Sequence, residues 1–235
     1  MAQRKYDSDE RRRMLIRATA NMLEEGGLRA VTMRALSARI GISHAAPYRH
    51  FRNKTALLAA VAEDGFDRLA ERLEKLDGAW GGEPLERFRT SACGYVRFAV
   101  DNPELYRLMF GKESAGDGPI HRLAPPAHRI LTILHKMIRD CQNHGLFRLN
   151  NPANQATFAW AAIHGLSLLM INGLADDPTA SEECRPPRVS HRELTEITIG
   201  FLVRSFAEPP GDAGEAAPVP HPNVATQIRE GDDRP

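Results

Sequence analysis

Residues 32–57 read Thr-Met-Arg-Ala-Leu-Ser-Ala-Arg-Ile-Gly-Ile-Ser-His-Ala-Ala-Pro-Tyr-Arg-His-Phe-Arg-Asn-Lys-Thr-Ala-Leu, and this stretch decides the fold. Two short helices meet at a tight turn. Thr32 is placed to cap the first, whose Leu36 and Ile40 fall four apart on one face while Arg34 and Arg39 point elsewhere. Gly41 supplies the turn and Ile42 plugs the gap between the helices. Ser43 is placed to cap the second helix, so that His44, Ala45, Tyr48 and Arg49 occupy its leading turns. This is the layout of a helix-turn-helix reader, in which leading-turn side chains meet base edges in the major groove of double-stranded DNA.

The Gly41-Ile42-Ser43 turn and the run Tyr48, His50, Phe51, Lys54 and Leu57 resemble the Tyr-x-His-Phe-x-x-Lys-x-x-Leu signature of the TetR family of bacterial transcription regulators. Leu15, Ala18, Ala20, Leu23, Gly26 and Val31 resemble that family's first helix and the glycine that stops it. Pro47 departs from the pattern, since many members carry Leu there. Proline lacks an amide hydrogen and is tolerated only in a first turn, so the second helix is expected to begin late or with a distorted first turn.

Charge supports a reader at this end. Residues 1–60 hold 12 Lys/Arg against 5 Asp/Glu, whereas the remaining 175 hold 19 against 25. The overall balance of +1 conceals this asymmetry, and phosphate neutralisation is the main source of sequence-independent DNA affinity. The chain's 235 residues, 42% hydrophobic, suffice for a core of ordinary size. Cys93, Cys141 and Cys184 are dispersed and odd in number, which suits a reducing compartment without disulfides or a zinc ribbon. The charged stretch 3–13 does not read as a secretory signal, and the most apolar segment, 156–175, is interrupted by His164, Gly165, Asn172 and Gly173. A cytoplasmic protein with no membrane partner is expected.

Apolar spacing predicts a first helix over 9–25, capped near Asp7, Ser8 or Asp9, and a long helix over 54–76 joining the reader to the rest. Further helices are predicted over 84–100, 103–110, 125–143, 152–174 and 190–206, several starting with proline at the first position, where its missing donor costs nothing. With no alternating strand pattern and no hairpin dipeptide, the fold class is all-α: an N-terminal three-helix helix-turn-helix domain (1–53), then a helical ligand-binding and dimerisation domain (54–207). Residues 208–235 carry six prolines and read as a disordered acidic tail.

Candidate site residues follow. Tyr48, His50 and Lys54 suit phosphate oxygens, and Arg34 suits phosphate or base; Thr32, Ser43, His44, Ala45 and Arg49 complete the DNA-binding set, while Phe51 reads as packing. His128 and His135 are seven apart, about 10 Å of helical rise, too far to hold one metal ion well. No phosphate loop, nucleophile elbow, H-E-x-x-H or paired carboxylates stand out, so neither enzyme activity nor a cofactor is expected. Phe98, Met109, Phe110, Met137, Trp160 and His164 are candidates to line a ligand pocket, although such a stripe more often makes plain core and a histidine among apolar residues is more often a satisfied core group.

Residues 102–111, Asn-Pro-Glu-Leu-Tyr-Arg-Leu-Met-Phe-Gly, together with Trp160, His164, Gly165 and Leu166, resemble the subset of TetR regulators whose C-terminal domain is named for a Trp-His-Gly motif. The resemblance implies a homodimer in which the last two helices pair into a four-helix bundle, with Ala156, Ala159, Gly165 and Gly173 permitting close approach and Leu194, Ile197, Phe201 and Leu202 needing a partner. It implies a repressor released from its operator by an unknown small-molecule effector. The alternative is a constitutive DNA-binding or architectural module without a ligand.

Overall fold

The computed structural model describes residues 2–79, 82–111, 125–173 and 189–207. Among them are eight α-helices: α1 Ala2–Ala30, α2 Met33–Ile40, α3 Lys54–Ala79, α4 Pro84–Asp101, α5 Pro103–Phe110, α6 Pro125–Asn143, α7 Pro152–Ile171 and α8 His191–Ala207. No strand occurs among the described residues. The expected tail, 208–235, and Cys184 lie outside them.

The first helix starts earlier than the expected cap near Asp9. Residues 2–13 hold no Gly or Pro, and their Glu, Gln and Arg are good helix formers, so nothing stops the helix short of Ala2. It kinks where the glycine pair was expected to end it, at Gly27 (φ 67°, ψ −175°). Thr32 caps α2, its Oγ1 accepting the Ala35 amide at 3.0 Å. Gly41 closes that helix in the left-handed region (φ 70°, ψ 33°), which glycine enters without steric cost. Leu15, Leu23, Val31, Leu36, Phe51 and Leu57 bury together to form the reader's core. The Arg12 guanidinium lies 5.2 Å from the Phe51 ring centre.

At 26 residues α3 runs about 39 Å. It packs against α1 at the reader end and against α4, α5 and α6 beyond it. The helix α7 lies between α4, α6 and α8, which explains its nearly continuous apolar sequence. Two expectations about the last helices need correction. Ala156 and Ala159 are buried against the subunit's own core, and Leu202 is likewise buried, so these three are not available to a partner. The large apolar side chains left exposed on these two helices are Phe158 and Leu169 on α7 and Ile197 and Phe201 on α8.

Candidate nucleic-acid interface and apolar pocket

Pro47 reshapes the reading element. The expected α-helix from Ser43 is replaced by turns over 44–46 and one 3-10 turn, Pro47–Arg49. The Ala46 amide donates to the Ser43 carbonyl (2.9 Å), Arg49 to Ala46 (3.2 Å) and His50 to Pro47 (3.0 Å). Ser43 is therefore not the expected cap: its carbonyl closes the preceding turn, and the cap position of the 3-10 turn falls to Ala46, which makes no side-chain cap bond. Pro47, which has no amide to give, is itself buried as the hydrophobic plug.

Ser43, His44, Ala45, Tyr48 and Arg49 are exposed, with Tyr48 at 56%, and so are Thr32 and Arg34 on the adjoining α2. Arg39, by contrast, makes a two-pronged ion pair with Glu25 at 2.6 Å, fastening α2 to the end of α1. His50 is half-buried. Lys54 is half-buried too, and its Nζ donates to the Leu28 carbonyl at 3.0 Å, bracing the start of α3 against the end of α1.

A second joint links the reader to the body. The Glu24 carboxylate on α1 accepts the amides of Leu105 (2.8 Å) and Glu104 (3.3 Å), capping the N-terminus of α5. Further along α5, Tyr106 is fully buried and its hydroxyl donates to the Tyr95 hydroxyl at 2.9 Å. Trp160 Nε1 donates to the same Tyr95 oxygen at 3.2 Å, and His164 Nδ1 lies 2.5 Å from Tyr106 Oη. Burial pushes the Tyr95 hydroxyl up to about 12 and raises Tyr106 as well, while it holds the His164 imidazole below its ordinary value. Phe110 fills the space beside them, its ring 4.3 Å from that of His164 and 5.1 Å from that of Phe66.

Beside this polar chain lies a small cavity of about 30 Å³ between α3, α4, α6 and α7, with Leu73, Phe88, Ser91, Tyr95, Met137 and Trp160 among its lining residues. Met137 and Trp160 thus reach the cavity directly. His164 and Phe110 stand one layer behind, through Tyr106 and the ring contacts. Phe98 and Met109 lie elsewhere in the packing: Phe98 is buried near the Arg68 guanidinium, and Met109 packs on Gly65, where a Cβ would come within 2.8 Å of its sulfur. His128 and His135 line an open groove along α6, and no cluster of three His, Cys, Asp or Glu suited to a metal is found among the described residues. No described helix is long and apolar enough to cross a membrane.

Residues 15–61 match the family described as bacterial regulatory proteins, tetR family, and residues 88–184 match a tetracyclin repressor-like C-terminal domain. The chain belongs to the TetR family. Its members bind DNA, act as dimers and regulate transcription rather than catalyse reactions. A nucleoid occlusion factor, SlmA, of Sodalis glossinidius is 35% identical over 114 residues, 47% of this chain and 56% of that protein. The chain thus spans about half the length of the curated relatives it matches. Among solved structures, a protein of unknown function from Rhodococcus sp. RHA1 is 28% identical with a TM-score of 0.71, covering 84% of this chain and 95% of that one. A TetR-family transcriptional regulator from Pectobacterium atrosepticum shares the fold at 19% identity and a TM-score of 0.64, covering 87% and 98%. The C-terminal match carries no Trp-His-Gly description, so that subset rests on the resemblance of residues 102–111 and of Trp160, His164, Gly165 and Leu166.

Three residues of this TetR-family chain escaped the sequence reading: Glu24, Ser91 and Tyr95. The last two were visible in principle. Phe88, Ser91, Ala92 and Tyr95 recur at helical spacing on the buried face of α4, and two hydroxyls on such a face are a signal. Glu24 had none, because its partners lie 80 and 81 residues away.

Proposed function

We propose that this TetR-family regulator is a homodimeric repressor that leaves its operator when a small molecule occupies the C-terminal core. DNA contact is assigned to the exposed set Thr32, Arg34, Ser43, His44, Ala45, Tyr48 and Arg49, with His50 and Lys54 at its edge. The observation that carries ligand control is the Glu24 cap on α5. A carboxylate of the reader holds the helix whose Tyr106 is hydrogen-bonded to Tyr95 at the cavity wall. Displacing Tyr95 or Trp160 shifts α5, and α5 carries α1 with it. Two readers must sit about 34 Å apart to enter successive major grooves, so a small tilt of each is enough to spoil the match. A ligand acts by binding the mismatched spacing more tightly, with a typical coupling of about 1 to 3 kcal/mol.

The test has two stages. Genomic fragments retained by the purified protein define an operator, and fluorescence anisotropy then measures operator affinity with and without a molecule shown by calorimetry to occupy the core. Affinity is expected to fall roughly 5- to 150-fold. Operator affinity indifferent to occupancy would instead favour a constitutive DNA-binding module.

A further inference from the structure

Buried serine and threonine hydroxyls in helices ordinarily donate to the carbonyl one turn back. Four among the described residues do so: Thr19 to Leu15 (2.8 Å), Ser37 to Met33 (2.9 Å), Ser167 to Ile163 (2.8 Å) and Thr195 to His191 (2.6 Å). Ser91 does not. It is 5% exposed, lines the cavity between α3, α4, α6 and α7, and its Oγ has no hydrogen-bond partner among the described residues. A buried polar atom left without a partner is costly and calls for an occupant that satisfies it.

Tyr95 lies one turn further along α4, on the same face as Ser91 and on the same cavity. Its oxygen accepts from the Trp160 indole and is hydrogen-bonded at 2.9 Å to Tyr106 Oη, whose other partner is His164 Nδ1. The site therefore offers the unengaged Ser91 hydroxyl and, about one helical turn away, the polar edge of Tyr95. The other lining side chains, Leu73, Phe88, Ile133 and Met137 among them, are apolar apart from the Trp160 indole, and no acidic, basic or histidine side chain among the described residues lines the cavity. A charged occupant would have to shed its hydration there without a counter-charge.

We propose that this cavity receives a small, uncharged, largely apolar molecule bearing one hydroxyl or carbonyl oxygen, held by Ser91 and Tyr95. This rests on the reading of the C-terminal core as a ligand site. In the conformation described, the space of about 30 Å³ is of the size that holds one water, so the molecule enters by displacing side chains. Only Leu134 and Trp160 among the lining residues are not fully buried, marking the side that opens. Met137, with its flexible thioether, is the wall that yields most easily.

The experiment uses four probes of one shape on the full chain, followed by calorimetry and thermal melting: cyclohexylmethanol, methylcyclohexane, cyclohexanecarboxylate and cyclohexylmethylammonium. Saturable binding of the alcohol is expected, roughly tenfold tighter than the hydrocarbon, with no binding of either ion at the same concentrations. Ser91→Ala should keep the melting temperature and bring the alcohol down to the hydrocarbon's affinity. Ala92→Met, which fills the cavity, should abolish binding of both. Ions binding as well as the alcohol, an alcohol preference that survives Ser91→Ala, or no neutral probe binding would overturn the proposal, the last meaning that the cavity holds a structural water. Operator titration separates this from the functional reading. If the alcohol binds through Ser91 and operator affinity stays unchanged, the site stands and ligand-controlled release fails. If a charged molecule releases the operator, release stands and the proposed ligand class fails.

Discussion

Lys54 has one ammonium group and two claims on it. Its bond to the Leu28 carbonyl braces α3 against α1, and an ammonium carries two further donors that can meet a phosphate oxygen at the edge of the reader. Lys54→Ala is therefore expected to do two separable things: lower stability by about 1 kcal/mol and flatten the dependence of log affinity on log salt by about 0.9. Arg34→Ala, at an exposed position, is expected to change the salt slope alike while leaving stability within about 0.5 kcal/mol. Melting curves and operator titrations at several salt concentrations check both. A Lys54 variant that melts early but keeps the full salt slope would make the lysine purely structural. The sequence disclosed Lys54 as a cation beside the reader, but not its partner: Leu28 is 26 residues distant, and nothing local encodes that meeting.

The helix boundaries that were legible are those set by local chemistry. The helices Pro103–Phe110 and Pro125–Asn143 begin at prolines in the first turn and fall where the spacing predicted. The reading element was legible only as a conflict. Pro47 announced a late or distorted helix, and the competition between its missing amide and its burial as a plug was resolved by the tertiary packing. The α5 joint depends on Glu24, whose carboxylate faces the helix N-terminus. Glu24→Ala should cost roughly 1 kcal/mol, as for loss of a helix cap, and should leave operator binding intact while weakening its response to ligand, measured as the ratio of operator affinities with and without it. An unchanged ratio would place the coupling elsewhere. Burial holds the His164 imidazole below its ordinary 6.5, so the unfolded chain takes up that proton first. Stability from this group is then complete above about pH 6.5 and declines as the pH falls below it. His164→Asn, which keeps an amide near the position of Nδ1, should lose less melting temperature than the native protein between about pH 7 and 5.5.

At the scale of the whole molecule the decisive surface is the pair α7 and α8. Their period was legible in the sequence, but which side of each helix faced inward was not, because Leu202 and Ile197 are equally apolar and only the packing of α8 on α4 and α7 separates them. Leu202 is buried, whereas Ile197 is 42% and Phe201 62% exposed, beside Phe158 at 55% and Leu169 at 47% on α7. Gly165 lies on α7 between those two, with nothing within 4 Å of an added Cβ, so a partner helix has room to come close. Clustered apolar groups of this size on adjacent helices mark an interaction surface, and a two-fold axis through it would pair the same side chains from each subunit. Phe201→Glu should place a carboxylate in that seam at a cost of several kcal/mol where it is fully buried. The variant is expected to sediment as a monomer and to lose specific operator affinity, since one reader cannot span two half-sites, although residues 15–61 are untouched. Its helical signal and melting cooperativity should persist, because Phe201 contributes little to the subunit's own core. A dimer that still binds the operator tightly would mean that α8 faces solvent and that the subunits meet through another surface.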